Sequence, residues 1–127
     1  MLGLGVGSFS YLGGVHFQNT GKLDDYQELI QSGKVPIRRA LQLTNRERLV
    51  REFILQLKCG EIQANSFQAK FGVDVLREFS QPIAELETEG WLTVSKAGIR
   101  LTRPGLLKVD RLLPRFYQQE YRRVKYW

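Results

Sequence analysis

Residues 44–60 read TNRERLVREFILQLKCG. Thr44 or Asn45 is placed to cap a helix, and Thr44 stands three residues before Glu47, the spacing at which hydroxyl and carboxylate cap reciprocally. Leu49, Val50, Phe53, Ile54 and Leu57 follow at intervals of one, three and four, so they share one helical face. Gly60 closes the segment. An amphipathic helix with one buried side is predicted here, and everything downstream must pack against it.

The downstream order is informative. Asn65 is positioned to cap a shorter helix, Ser66 to Phe71, which Gly72 ends. Asp74 is positioned to cap a third, carrying Val75, Leu76, Phe79, Ile83 and Leu86 as far as Gly90. Pro82 falls inside that third pattern. It should kink the helix or divide it, with Ser80 capping the second half. Residues 91–95 and 99–102 read as two short strands joined by a turn at Lys96-Ala97-Gly98. Thr102 or Arg103 then caps a last helix with Pro104 in its first turn, and Pro114 should bend it. Helix, helix–turn–helix and hairpin is the order of a winged helix.

Upstream, Leu23 to Gln31 reads as a short helix. Asp24 and Asp25 suit its first turn and Gly33 suits its end. Residues 15–22 look irregular, and VPIRRALQL (35–43) reads as a connection. The chain opens MLGLGVGSFSYLGG. Residues 2–12 read as a strand entering a Gly-rich loop, and such a strand needs a sheet that the rest of the pattern does not supply. The expected fold class is therefore α+β and mostly helical. A winged-helix-like domain over 44–127 follows a separate part at 1–43.

Composition narrows the possibilities. At 127 residues and 43% hydrophobic, the chain can bury one core. No apolar run approaches the roughly 20 residues that span a bilayer. The glycine-broken start lacks the basic lead of a signal peptide. A single cysteine, Cys59, excludes an internal disulfide and fits a reducing cytoplasm. The formal charge of +6 favours an anionic partner only weakly.

Few residues carry chemistry. Gly3, Gly5 and Gly7 make G-x-G-x-G, which is neither a dinucleotide fingerprint nor a P-loop. The helix that would enter a DNA groove carries Asp74, Glu78, Glu85, Glu87 and Glu89 against Arg77, the wrong sign for phosphate. A free-standing nucleic-acid-binding winged helix is thus the alternative reading, not the leading one. The tail interleaves Arg115, Arg122, Arg123 and Lys125 with Tyr117, Tyr121, Tyr126 and Trp127. That pattern suits base or macrocycle stacking, or a helix that docks its aromatic face and leaves its charges wet. His16 has no second ligand at metal spacing, and Cys59 sits beside an apolar stripe. No catalytic pair and no metal site is expected.

Taken together, the motifs resemble the C-terminal part of the oxygen-independent coproporphyrinogen III oxidases, radical SAM enzymes of haem biosynthesis, and more distantly their haem-chaperone relatives. The resemblance rests on residues 3–10 (GLGVGSFS), Asn19, Tyr26, Leu43-Thr44, Arg51-Glu52, Leu57, Cys59, Glu89-Gly90-Trp91-Leu92, and Leu101-Thr102 with Gly105. Gly60 replaces an asparagine of the family pattern, and Phe9 stands where an aliphatic residue is common.

The resemblance implies an oxidative decarboxylation of propionates to vinyls, driven by a [4Fe-4S] cluster and S-adenosylmethionine. It implies that Gly5, Gly7, Ser8, Phe9 and Ser10 lie near the S-adenosylmethionine site, at the last strand of a radical SAM barrel. The cluster motif C-x3-C-x2-C is absent. The chain is therefore expected to be a fragment that binds no cofactor alone and is inactive without its N-terminal barrel, with porphyrin or haem as a further partner. A haem-binding, chaperone-type domain is a further alternative. In isolation, residues 1–12 are expected to be poorly ordered or paired with a neighbour.

Overall fold

The computed structural model describes residues 1–117. The readings at Tyr121, Arg122, Arg123, Lys125, Tyr126 and Trp127 lie outside the described residues. The chain divides into two compact units, with the division after Arg48.

The first unit is built on strands where irregular chain was expected. β1 (Phe9–Leu12) turns through Gly13-Gly14 into β2 (Val15–Asn19). Both glycines have positive φ, 58° and 88°, as a tight hairpin of the primed type requires. Helix α1 (Leu23–Gln31) follows, then β3 (Ile37–Gln42). The three strands form one antiparallel sheet in the order β1-β2-β3. Three expectations are corrected here. Residues 15–19 are a strand, the segment after Pro36 is a strand, and the sheet that residues 9–12 need is supplied within this chain. Only Phe9–Leu12 of the opening stretch is a strand; residues before it form a loop.

This unit holds little hydrophobic core. Its buried residues are Ser10, Gly14, Asn19, Thr20 and Pro36. Most of its large apolar side chains stay exposed, Leu4 at 92% and Val35 at 71%. Hydrogen bonds therefore carry an unusual share of its order.

The second unit holds the hydrophobic core. Helix α2 (Asn45–Lys58) starts at the predicted reciprocal cap. The Glu47 N–H donates to the Thr44 hydroxyl at 3.2 Å, and the Thr44 N–H donates to the Glu47 carboxylate at 2.7 Å. Leu49, Val50, Phe53 and Leu57 are buried as the stripe predicts. Phe53 is fully buried, with ring centroids 4.4 Å from Phe79, 4.8 Å from Phe116 and 6.0 Å from Phe67.

Beyond α2, a short strand β4 (Glu61–Gln63) leads into α3 (Ala64–Phe71). Asn65 therefore lies inside the first turn of α3 rather than capping it. Asp74 does cap α4 (Val75–Glu78), accepting from the Leu76 and Arg77 N–H groups at 3.1 and 3.3 Å. The third helix is divided at Phe79, and α5 (Ser80–Thr88) begins without a side-chain cap. Pro82 then sits in the first turn, where its missing N–H costs nothing.

β5 (Leu92–Ser95) and β6 (Gly98–Leu101) form the predicted hairpin. The sheet order is β4-β6-β5, so β6 is central. Thr102 caps α6 (Arg103–Leu107); α7 (Val109–Leu112) and a 3-10 turn, Leu113–Phe116, complete the described chain. The last helix is thus broken at Lys108 as well as at Pro114. No helix among the described residues is long and apolar enough to cross a membrane.

Candidate functional site

The Gly-rich loop before β1 is tied down by side chains from later elements. Gly5 is held at both polar groups. Its N–H donates to the Tyr26 hydroxyl at 3.2 Å, and its carbonyl accepts from the Asn19 amide at 3.0 Å. Gly7 donates to the Thr20 carbonyl at 2.7 Å and accepts from the Gln18 amide at 3.1 Å. The Ser8 hydroxyl donates to the Leu4 carbonyl at 2.6 Å. Ser10 is 1% exposed and accepts from the Gly3 N–H at 2.9 Å. The backbone must turn sharply to do this, with φ of 100° at Gly5 and 67° at Gly7, a region glycine enters without steric cost.

Of the five residues singled out in the sequence, Gly5, Gly7 and Ser8 lie together on this loop. Ser10 turns its hydroxyl inward. Phe9 lies in β1 and is 58% exposed. The N–H groups of Gly5 and Gly7 are already donated within the chain. Space remains beside Gly7, where a Cβ would meet nothing within 4 Å. The loop therefore suits close van der Waals approach by a ligand rather than capture by N–H donors. In the sequence Asn19 and Tyr26 stand only as matches to the family pattern; their role as clamps, and that of Gln18 and Thr20, is visible only in the fold.

An iron–sulfur cluster does not fit these residues. Such clusters are held by several cysteine thiolates, and the sequence has one cysteine, exposed at the end of α2. Among the described residues no group of three or more His, Cys, Asp or Glu could hold a metal ion.

The second unit has a polar hollow of about 410 Å³ on its sheet, lined by Gln63, Asn65, Thr93, Ser95 and the pair Glu61–Arg100. That pair is joined at 3.3 Å, so the hollow offers hydrogen bonding but no poised acid or base. A second polar cluster closes the C-terminal end of the described chain. Arg115 grips Glu89 through two N–H···O bonds of 2.7 and 3.0 Å, and the Trp91 indole donates to the same carboxylate at 2.8 Å. Lys108 lies 5.0 Å over the Trp91 ring. The Arg115 guanidinium first, and then the Trp91 N–H, hold the Glu89 carboxyl below the ordinary range.

Against this geometry, comparison with known proteins is consistent. The family model described as the HemN C-terminal domain matches residues 43–107. Oxygen-independent coproporphyrinogen III oxidase of Pseudomonas aeruginosa is 32% identical over 135 aligned residues, 98% of this chain and 29% of that protein. The heme chaperone HemW of Bacillus subtilis is 28% identical over 83% of this chain and 28% of its own length. The solved coproporphyrinogen III oxidase (HemN) of Escherichia coli, a radical SAM enzyme, superimposes with a TM-score of 0.76 at 25% identity, covering 91% of this chain and 27% of that one. The chain thus spans under a third of the length of these relatives.

Proposed function

The chain belongs to the HemN C-terminal domain family, and from that premise we propose that it serves as the substrate-side domain of a radical SAM oxidation. The reaction class is the oxidative decarboxylation of tetrapyrrole propionates to vinyl groups. The observation that carries the reading is the fold match to a coproporphyrinogen III oxidase over 91% of the chain.

The chain does not do this chemistry alone. The iron–sulfur cluster and S-adenosylmethionine belong to a barrel whose ligands these residues do not include, and without that barrel the domain is inactive. What the chain contributes is positioning. In this reading the loop around Gly5 and Gly7 is a preformed edge of the cofactor site, fixed by Asn19 and Tyr26. Exposed Leu4, Leu23, Ile30 and Val35 are the apolar surface that the barrel covers, since a unit with so little core of its own gains most by packing against another. The second unit is a winged helix used for packing, its third helix being acidic where DNA would demand cations. Both parts work in the cytoplasm, where Cys59 stays reduced.

The 28% identity to HemW favours a second reading, in which the same domain carries haem without converting it. One experiment separates the two. This chain replaces the matching segment of the Pseudomonas oxidase, and vinyl products are sought from coproporphyrinogen III. Product formation supports the first reading; haem binding without product supports the second.

A further inference from the structure

The first sheet has two edges, and they differ. On the β1 side the edge is closed by the start of the chain. The Tyr11 N–H donates to the Met1 carbonyl at 2.9 Å, and the Met1 ammonium donates to the Tyr11 carbonyl at 3.0 Å. On the β3 side the edge is open. The Leu43 N–H donates to the Gly14 carbonyl at 2.9 Å, and the pairs Leu41–His16 and Arg39–Gln18 continue that register. In an antiparallel ladder, alternate residues turn their backbone groups to the partner. Leu43, Leu41 and Arg39 therefore face β2, while Ala40 and Gln42 turn N–H and C=O away from it. Among the described residues no backbone bond occupies those outward groups.

An open strand edge pairs with another peptide backbone. Charge decides whose. Residues 32–46 carry Lys34, Arg38, Arg39 and Arg46 and no Asp or Glu, and β1 and β2 carry no acid either. The Arg39 Nε donates to the neutral Gln18 side-chain oxygen at 2.8 Å, which leaves its charge uncompensated. Arg38 is the residue passed over where the register shifts, since Asn19 pairs with Ile37. It has no ion pair among the described residues. A second copy of β3 would bring two more arginines and no carboxylate to the joint, which opposes self-pairing. Leu41, 57% exposed, offers apolar contact beside the charges.

We propose that the open edge of β3 takes an acidic, extended segment of a partner protein as a fourth strand. The segment's backbone pairs with Ala40 and Gln42, its carboxylates meet Arg38 and Arg39, and an apolar side chain covers Leu41. This role is separate from the function argued above, since it involves neither cofactor nor substrate.

The test is fluorescence anisotropy of a labelled hexapeptide of alternating glutamate and valine, titrated with the full chain. Saturable binding below about 1 mM is expected, weakening as salt is raised. A lysine–valine hexapeptide should not bind. Arg38→Gln and Arg39→Gln should each weaken binding about threefold. Ala40→Pro should weaken it by about tenfold or more. It removes an outward N–H that β2 does not use, and proline is tolerated at such an edge position. Circular dichroism checks its fold; where it fails to fold, Gln42→Pro reads the same edge. The proposal is overturned if no saturable binding appears, or if the folded proline variant binds like the wild type. It is also overturned if a short thymidylate strand binds equally well, which would make the arginines a general polyanion surface. Dissolution of a dimer by Ala40→Pro would overturn it in favour of self-pairing. Loss of peptide binding in the cluster-loaded chimaera would overturn it by showing that the barrel covers the edge. The turnover of that chimaera bears on the proposed function alone.

Discussion

The Asn19 side-chain amide donates to the Gly5 carbonyl at 3.0 Å across fourteen residues of sequence. With Tyr26 on the N–H of the same glycine, it makes the Gly-rich loop a fixed object rather than a hinge. Asn19 is 6% exposed, so the bond is shielded from water. Asn19→Ala should cost about 1–3 kcal/mol, the range for removing one partner of a buried bond. Tyr26→Phe should cost about 1 kcal/mol. Amide hydrogen exchange at Gly5, Gly7 and Ser8 should quicken in both variants. Unchanged exchange in Asn19→Ala would show that the loop is held by something else.

Two glycines of the second unit are required by crowding. A Cβ at Gly98 would land on the Ile62 carbonyl of the neighbouring strand, and Gly98 has a φ of 152°. A Cβ at Gly105 would land on the Trp91 carbonyl, where α6 meets the start of the hairpin. Backbone cannot give way as a side-chain tip can, so Gly98→Ala and Gly105→Ala should each lose about 3 kcal/mol or more in urea unfolding. Gly72→Ala is the control. Its φ is 67° but nothing lies within 4 Å, so it should lose only the left-handed penalty of about 1–2 kcal/mol.

The Glu89–Arg115 contact gives stability a pH dependence of known sign. The carboxyl is held below its ordinary value in the folded chain, by Arg115 first and Trp91 next. The stabilisation is therefore complete above the unfolded glutamate value of about 4.3 and is lost as pH falls through the lower folded value. Glu89→Gln should lower Tm modestly at pH 7, the pair being exposed to solvent. Wild type and variant should converge as pH falls below the lowered folded value of the Glu89 carboxyl. A gap that stays constant throughout that fall would mean that packing, not charge, joins Arg115 to the hairpin.

Much of the second unit was legible in the sequence because its signals are local. Thr44 and Glu47, Asp74 and Thr102 are caps whose partners lie two or three residues away. The stripe from Leu49 to Leu57 needs only one helix to be read. The break at Phe79 was half legible, since Pro82 announced a division but not its place. β4 was missed because three residues carry no measurable alternation.

The first unit was misread for a different reason. Its strands satisfy one another across long separations, Phe9 against Gln18 and Gln18 against Arg39, and a short strand lacks a signal until its partner is known. In β2, Val15 and Phe17 alternate with His16 and Gln18, a pattern too brief to outweigh the glycines and polar residues around it. β3 was hidden by its exposure. All six of its residues face solvent, so no apolar periodicity marks it. The site residues divided in the same way. The glycines announced a turn, but the groups that clamp it, Asn19 and Tyr26, are ordinary polar residues whose task appears only in three dimensions.

Under the proposed function, this chain supplies what the C-terminal part of a coproporphyrinogen III oxidase supplies. The most direct measurement uses the Pseudomonas aeruginosa oxidase with its matching C-terminal segment replaced by this chain. Cluster absorbance first establishes that the barrel is folded and loaded. Carbon dioxide and vinyl-bearing product are then quantified from coproporphyrinogen III. The account predicts turnover above that of the oxidase truncated before the segment, by about tenfold or more, a difference of about 1.4 kcal/mol in the barrier. A chimaera with its cluster intact and turnover no higher than that of the truncated enzyme would contradict it.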